Sequence, residues 1–243
     1  MNLVSKSNWK KYWSEHGAQK IHSILFEDIF QKYFEFNPKL ECIEIGCVPG
    51  NFLIFLHKKF GYKIHGIDYV EGMEKILKKN FELNNIKNYN IYNSDFRIFK
   101  QEKLFDIVLS IGFIEHFSDY KKIIEKHISL LKKDGILFIS LPNFRYGQYL
   151  LHRLFDNKNL KKHNLKAMNP KIIKEIFKKN NLEIIYSGYY KSFKFWVENI
   201  ENRNFFIKKI IVLIILIGQF FFKYINIPNK YFSPFIICIA KKK

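Results

Sequence analysis

The sequence predicts an α/β fold: a mostly parallel sheet with helices on both of its faces. Short apolar runs alternate with amphipathic helical patterns from residue 40 to residue 143, which is the pattern of strand-helix-strand units. In addition, Leu40–Ile45 leads through a Gly/Pro turn directly into an apolar-periodic helix over Asn51–Phe60. Parallel strands need such crossover helices, so both observations favour the same architecture.

Each element follows from its local pattern. The predicted strands are Leu40–Ile45, Tyr62–Asp68, Tyr89–Phe96, Leu104–Ile111, Gly135–Asn143, Leu182–Tyr190 and Ser233–Ala240. The predicted helices are Ile21–Phe36, Asn51–Phe60, Asp119–Leu131 and Asn169–Lys179. Asp119 is the predicted cap of its helix, and Lys133-Asp134-Gly135 is a predicted turn.

The chain divides into four segments. They are an N-terminal helical cap over 1–36, a core over 37–190, an apolar helical insertion over 191–232, and a last strand with a basic tail over 233–243. Residues 144–168 show little clean periodicity. Because loops over strand ends often carry specificity, we expect this stretch to cover the acceptor of a reaction.

Charge and cysteine content restrict the partners and the compartment. The formal net charge is +19, but only 4 of the 41 basic residues are Arg. Bidentate phosphate recognition favours Arg, so we expect no specific nucleic-acid partner. Residues 1–11 lack the apolar stretch of a signal peptide. The cysteines form no C-x-x-C pair, which predicts reduced thiols, a cytoplasmic protein and no metal site.

The turn after the first strand carries the strongest chemical signal. Glu44 ends the strand, and Gly46 and Gly50 frame the turn. Glycines let a ligand approach the backbone closely. A dinucleotide site would show G-x-G-x-x-G, and a carboxylate at this position would repel a pyrophosphate while suiting a cationic ligand. A nucleotide-cofactor oxidoreductase therefore remains only as an alternative.

This turn resembles motif I of the class I S-adenosylmethionine-dependent methyltransferases, and Asp106–His116 is similar to their D-x-V-x-S-x-x-x-x-E-H passage. The resemblance covers residues 40–143. It implies a Rossmann-like, seven-stranded, mostly parallel sheet with an antiparallel last strand, and S-adenosylmethionine as the cofactor. Val48 stands where the family usually has its middle glycine, and a β-branched residue resists positive φ. A reshaped turn is expected, and a non-catalytic S-adenosylmethionine-binding protein is the second alternative.

Candidate site residues follow from position and from the resemblance. Asp68 ends the second strand about 20 residues after the glycine turn, where a carboxylate takes ribose hydroxyls. The resemblance implies that Glu44 and the backbone near Gly46 hold the methionyl part, and that Asp95 and Phe96 hold the adenine. It also places Cys47, Gly50, Tyr69, Ser110 and Ile111 at the cofactor. His116 is a candidate general base or a structural hydrogen-bonding residue.

The function that these features predict is O-methylation of a small-molecule, glycan or lipid-linked acceptor by direct displacement. Two segments leave alternatives open. The aromatic stretch Trp9–Trp13 either closes over the active site or anchors a terminal helix. Residues 205–224, rimmed by lysines, form either a buried helix or a peripheral contact with the inner membrane face. The apolar run 210–222 is shorter than the roughly 20 residues that span a bilayer, and a last strand would return to the sheet.

Overall fold

The computed structural model describes residues 3, 4, 9, 19–198, 200–224 and 227–243. These residues form one seven-stranded sheet in the order β3-β2-β1-β4-β5-β7-β6. The strands are β1 (Glu41–Ile45), β2 (Lys63–Asp68), β3 (Tyr89–Asn93), β4 (Phe105–Ile111), β5 (Leu131–Pro142), β6 (Leu182–Tyr190) and β7 (Phe235–Lys242). The neighbours from β3 to β5 pair in parallel, and β7 pairs antiparallel with β5 and β6. The predicted sheet, with its antiparallel last strand, is confirmed.

Helices cover both faces of this sheet. The helices described are α1 (Glu27–Tyr33), α2 (Asn51–Phe60), α3 (Met73–Leu83), α4 (Tyr120–Ser129), α5 (Tyr146–Phe155), α6 (Asn157–Leu160), α7 (Pro170–Lys179) and α8 (Phe205–Lys223). Successive strand side chains point to opposite faces. Cys42 accordingly joins a buried cluster with α1, α2 and α3, whereas Ile43 joins another with α4 and α7.

The first predicted helix is shorter than its sequence pattern. It covers Glu27–Tyr33 rather than Ile21–Phe36. Phe26 precedes it with a left-handed φ of 70° while its side chain is buried. A right-handed helix cannot continue through such a residue, so the apolar residues before Phe26 pack in an irregular segment.

Two strand boundaries also differ from the prediction. β3 ends at Asn93 rather than Phe96, because the backbone turns and the amide of Phe99 donates to the Asp95 carbonyl. β5 begins at Leu131 rather than Gly135, so the predicted Lys133-Asp134-Gly135 turn lies inside the strand. Asp134, with φ of 64°, marks this irregularity, and the pairing with β4 shifts register nearby.

Residues 144–168, for which the sequence pattern predicted no particular element, contain α5 and α6. The inward positions of α5 include Gln148 and His152, which are both buried. The apolar side chains of Leu150 and Leu154 lie on its exposed face, so its hydrophobic pattern does not mark the buried side. The Asp119 side chain makes no capping hydrogen bond at α4, contrary to the prediction, and pairs instead with Lys122 at 3.1 Å.

The segment between β6 and β7 forms α8, a helix of 19 residues. Within it only Ile211 is buried, so the buried-helix alternative is wrong. The helix is long and apolar enough to cross a membrane by length and composition, so the length argument from 210–222 is also wrong. The predicted return to the sheet is confirmed, because Phe235 at the start of β7 pairs with Tyr190 at the end of β6.

Candidate active site

A cavity of about 300 Å³ lies at the carboxyl ends of β1, β2 and β4. This is the edge at which parallel α/β sheets bind ligands. The predicted site residues that line it are Glu44, Gly46, Cys47, Asp68, Tyr69, Ile111 and His116. The structure therefore brings together residues from three strands that are far apart in the sequence.

The glycine turn forms the floor of this cavity. Gly46 and Gly50 adopt left-handed conformations, with φ of 75° and 92°, and Gly50 begins α2. A Cβ atom on Gly46 would lie 2.6 Å from the Phe113 ring. Val48 has no positive φ, so its β-branched side chain does not strain the turn. Its N–H donates to Asp68 Oδ2 at 3.1 Å, which fixes the turn against β2.

Two buried oxygen atoms in the cavity wall lack hydrogen-bond donors among the described residues. They are Glu44 Oε2 and Asn51 Oδ1. The Glu44 carboxylate also accepts the Leu53 N–H of α2, but burial and the nearby Asp68 raise its pKa well above the usual value. Buried acceptors without donors are costly, and a cationic ammonium group would satisfy both. This part of the cavity fits the amino group of a methionyl ligand.

Asp68 is held by the backbone around it. Its carboxylate accepts N–H groups from Val48 at 3.1 Å, Tyr69 at 2.7 Å and Val70 at 3.1 Å. Burial raises its pKa, although these three hydrogen bonds oppose that rise. A carboxylate has about four acceptor positions, so one remains for a ligand hydroxyl.

Four predicted cofactor residues do not line the cavity: Gly50, Asp95, Phe96 and Ser110. The Asp95 carboxylate binds the Arg97 guanidinium through two nitrogens, at 3.1 Å and 2.5 Å. Phe96 packs against Phe113, with their ring centroids 5.9 Å apart, so Phe113 forms the wall in its place. The adenine-binding roles of Asp95 and Phe96 stay predictions.

A second cavity of about 340 Å³ adjoins the first, and Trp9, Gly112 and His116 line both. Its remaining walls combine polar side chains with three aromatic ones: Phe144 lies 5.5 Å from Trp196, which stacks on Phe235 at 5.6 Å. Trp9 meets the His116 ring edge-on at 5.1 Å. The predicted closure by the N-terminal segment concerns mainly residues 5–8 and 10–18, which lie outside the described residues.

Two imidazoles in the second cavity have a nitrogen, Nε2, that accepts no hydrogen bond from the described residues. His116 Nδ1 is 3.1 Å from the Lys162 carbonyl, and His163 Nδ1 is 2.8 Å from the Asn159 carbonyl. Since a carbonyl only accepts, each Nδ1 carries the proton and each Nε2 is an acceptor. Burial lowers the pKa of His116 to about 4 and that of His163 to about 3. Both rings are neutral near pH 7.

Glu115 completes this polar group. Its Oε1 lies 3.9 Å from His116 Nε2, and burial raises its pKa to about 8. Polar atoms of Glu115, His116 and His163 all lie within 4.8 Å of one another, close enough to share one polar group of a ligand or one cation. The expected absence of a metal therefore stays a prediction.

Sequence reasoning missed Asn51, and it gave His163 no role of its own. Asn51 could have been found, because it directly follows Gly50 at the start of the helix that borders the first cavity. His163 lies within the stretch 144–168 that was predicted to cover the acceptor, but the pattern did not distinguish it from its neighbours. It lies beyond α6 in the stretch without periodicity, and only tertiary folding brings its ring within 4.7 Å of the His116 ring.

Comparisons with known proteins agree with this geometry. A family model described as a methyltransferase domain matches residues 3–187. The chain is 28% identical over 213 residues to a ubiquinone biosynthesis O-methyltransferase of Pelagibacter ubique, covering 76% of this chain and 87% of that protein. It is 26% identical over 151 residues to (S)-coclaurine N-methyltransferase of Papaver somniferum, covering 57% of this chain and 41% of that protein.

Solved structures show the same fold. A SAM-dependent methyltransferase from Archaeoglobus fulgidus superposes with a TM-score of 0.56 at 20% identity, over 98% of this chain and 95% of that one. Phosphoethanolamine N-methyltransferase 2 of Haemonchus contortus, solved with S-adenosylhomocysteine, superposes with a TM-score of 0.61 at 16% identity, over 88% of this chain and 51% of that one. The chain belongs to the methyltransferase-domain family and is a class I, Rossmann-like methyltransferase that uses S-adenosylmethionine.

Proposed function

We propose that this enzyme methylates a hydroxyl group of a ring-bearing small molecule held in the second cavity. One observation supports this above the others: the two cavities share Trp9, Gly112 and His116. A donor in the first cavity and an acceptor in the second would meet beside His116. Holding two reactants in this way supplies most of what a displacement reaction needs.

The first cavity would hold S-adenosylmethionine through the charges already described. Glu44 and Asn51 would accept the methionyl ammonium beside the Gly46 turn, and Asp68 the ribose hydroxyls, with Tyr69 alongside. Asp95 and Phe96 keep their assignment to the adenine, with the Asp95 carboxylate shared between Arg97 and the adenine amino group. The cofactor supplies an electrophilic methyl group on a sulfonium.

The transfer is a single displacement. Bound beside Glu44 and Asp68, the cofactor would supply the methyl group that the acceptor oxygen takes directly, and its sulfur would keep the electron pair of the bond that breaks. The hydroxyl proton would go to Nε2 of His116, the ring nitrogen that does not contact the Lys162 carbonyl. His163 Nε2 accepts a hydrogen bond from a second polar group of the acceptor.

The acceptor class follows from the cavity walls. Three aromatic side chains, Phe144, Trp196 and Phe235, suit a planar ring. The Pelagibacter relative is named as an O-methyltransferase of ubiquinone biosynthesis, which supports a hydroxylated, lipid-linked acceptor over a glycan. We place the enzyme in the cytoplasm, with a peripheral membrane contact through 205–224 and no specific nucleic-acid partner.

Single-turnover methylation of a panel of hydroxylated and amino aromatic compounds tests the proposal. His116→Ala should lower the rate on hydroxyl acceptors by about 10²- to 10⁴-fold, the usual contribution of a general base, and leave the dissociation constant for S-adenosylmethionine unchanged. His57→Ala, on α2 and outside both cavities, is the matched control. Methylation of amines alone, or a His116→Ala rate within a few-fold of wild type, would overturn the proposal. A chelator control shows whether a cation takes part.

A further inference from the structure

α8 presents an apolar surface that is uncovered in the described part of the chain. Exposed aromatic residues stand at both of its ends, with Phe206 73% and Phe220 67% exposed. The aliphatic side chains between them, including Leu213 and Leu216, are 56% exposed. Contiguous exposed apolar patches of this kind mark binding surfaces in stable proteins.

The helix is fastened along the domain at both ends. Near its C-terminus Phe222 stacks on Phe193 at 5.5 Å and contacts Phe232 at 5.7 Å. A Cβ atom on Gly218 would lie 2.1 Å from Phe193, so this glycine permits the close approach. Just before its N-terminus, Arg203 Nη2 donates to Asp156 at 3.2 Å. One stripe of α8 therefore faces the protein and the rest faces outward.

This attachment excludes a transmembrane orientation. The two strands that flank α8 pair with each other, and Tyr190 at the end of β6 lies opposite Phe235 at the start of β7. A helix that crossed the bilayer would force residues 224–234 back through hydrocarbon as an extended segment with unpaired backbone groups. α8 can only lie along a surface.

The charges around α8 identify the surface. The sequence has no Asp or Glu after Glu201, whose carboxylate pairs with Lys208. Three further lysines lie over aromatic rings: Lys209 over Phe205 at 4.4 Å, Lys223 over Tyr224 at 5.4 Å and Lys230 over Tyr231 at 4.9 Å. Lysines and aromatic rings that bracket an apolar stretch are typical of a helix at the interface of an anionic bilayer.

The base of α8 is connected to the second cavity. Asp156, which is buried, accepts the Glu198 N–H at 2.9 Å as well as the Arg203 guanidinium. Glu198 lines the second cavity and pairs with Lys162 there at 2.6 Å. One carboxylate, that of Asp156, thus connects a residue of the second cavity to the segment just before α8.

We propose that α8 lies in the headgroup region of an anionic membrane and holds the acceptor cavity at the bilayer edge, so that the acceptor is a membrane-resident, lipid-tailed hydroxyl compound. This inference rests on the proposed function. The outward aliphatic residues enter the acyl boundary, and the lysines meet lipid phosphates.

Flotation of the full chain with phosphatidylcholine vesicles, with and without 30% phosphatidylglycerol (about one lipid in three), tests the membrane contact. Wild type should float with the anionic vesicles only. Lys209→Glu/Lys223→Glu should weaken partitioning at least ~30-fold, since each lysine near an anionic surface contributes about fivefold. Leu213→Gln/Leu216→Gln should also abolish flotation. Leu83→Gln/Ile98→Gln, which changes exposed residues near the opposite sheet edge, should float like wild type.

Turnover separates this inference from the proposed function. The α8 variants should methylate a water-soluble hydroxyl acceptor at the wild-type rate, and lose only the rate on an acceptor embedded in vesicles. Equal flotation with neutral and anionic vesicles would overturn the inference. So would a wild-type dimer that does not float and that Leu213→Gln/Leu216→Gln converts to monomer, because a second copy would then cover α8. Flotation without methylation of any hydroxyl acceptor would refute only the proposed function.

Discussion

Replacing Glu44 by Gln should weaken S-adenosylmethionine binding while stabilising the ligand-free protein. The buried carboxylate accepts one backbone N–H, and its Oε2 has no partner among the described residues. Gln keeps the shape and an acceptor oxygen but removes the charge. Because the pKa of Glu44 is raised in the folded protein, its ionisation favours the unfolded state near pH 7, and Gln removes that effect. The bound state, in contrast, loses a charge-assisted hydrogen bond to the cofactor ammonium.

The size of the affinity loss follows from that hydrogen bond. Hydrogen bonds to a charged group contribute about 1.5–3 kcal/mol, so the dissociation constant should rise about 10- to 150-fold. The pH dependence should change too. Burial and Asp68 raise the pKa of Glu44 in the free protein, and a bound cation lowers it. Wild-type binding therefore releases a proton and tightens as pH rises, and the Glu44→Gln variant should show a flatter profile.

Titration calorimetry between about pH 6 and about pH 8 measures the affinity for the cofactor and its pH dependence. Chemical denaturation of the ligand-free protein measures the change in stability. Glu41→Gln is the matched control, because Glu41 lies on the same strand but pairs with Lys103 outside the cavity. A Glu44→Gln protein that binds within twofold of wild type would refute the assignment. A loss of stability in that variant would show that the carboxylate serves the fold instead.

Three further predictions concern buried titratable groups. Asp68→Asn replaces an acceptor of three backbone N–H groups, so the free energy of unfolding should fall by about 1–3 kcal/mol and the dissociation constant for the cofactor should rise at least ~10-fold, measured by denaturation and calorimetry. Burial lowers the pKa of His127 to about 4, so between about pH 4 and about pH 6.5 the unfolded state binds a proton that the folded state does not. As pH falls through that range, the free energy of unfolding of wild type should drop by about 3 kcal/mol relative to that of His127→Leu, measured by urea titration. Burial raises the pKa of Glu115 to about 8, and its ionised form would make the nearby His116 more basic. In wild type kcat should therefore rise with pH near 8, whereas in Glu115→Gln it should stay flat. The same rise of kcat with pH in both proteins would contradict an interaction between Glu115 and His116.

The core and the first cavity were predictable from the sequence because they depend on local patterns. The strand-turn-helix unit around Gly46 and the acid at the end of β2 each place one side chain at a strand end, and parallel pairing then brings the ends together. Asp68 therefore lies where its spacing placed it, and Glu44 and Ile111 line the cavity to which the family resemblance assigned them.

The acceptor side could not be predicted in the same way. α5 buries Gln148 and His152, so its inward face carries no hydrophobic signal. His163 lies beside His116 because the turn after α6 packs against residues 115–117, where the Asn164 N–H donates to the Glu115 carbonyl at 2.7 Å. The exposure of α8 was missed for the opposite reason. An apolar helix normally predicts burial, but the sequence does not show that every residue of this helix except Ile211 stays at least partly exposed.

The electrostatics of the two regions point to different partners. The chain as a whole carries +19, yet the cofactor cavity holds two buried carboxylates, Glu44 and Asp68. The positive surface repels a cationic cofactor, and at ordinary salt exposed charges act only over about 10 Å. Long-range electrostatics therefore cannot help the cofactor to bind. Cofactor binding must therefore depend on the short-range groups of the cavity. The lysines near α8 need an anionic partner other than the cofactor. An anionic bilayer would provide negative charge for these lysines and an apolar environment for the exposed face of α8.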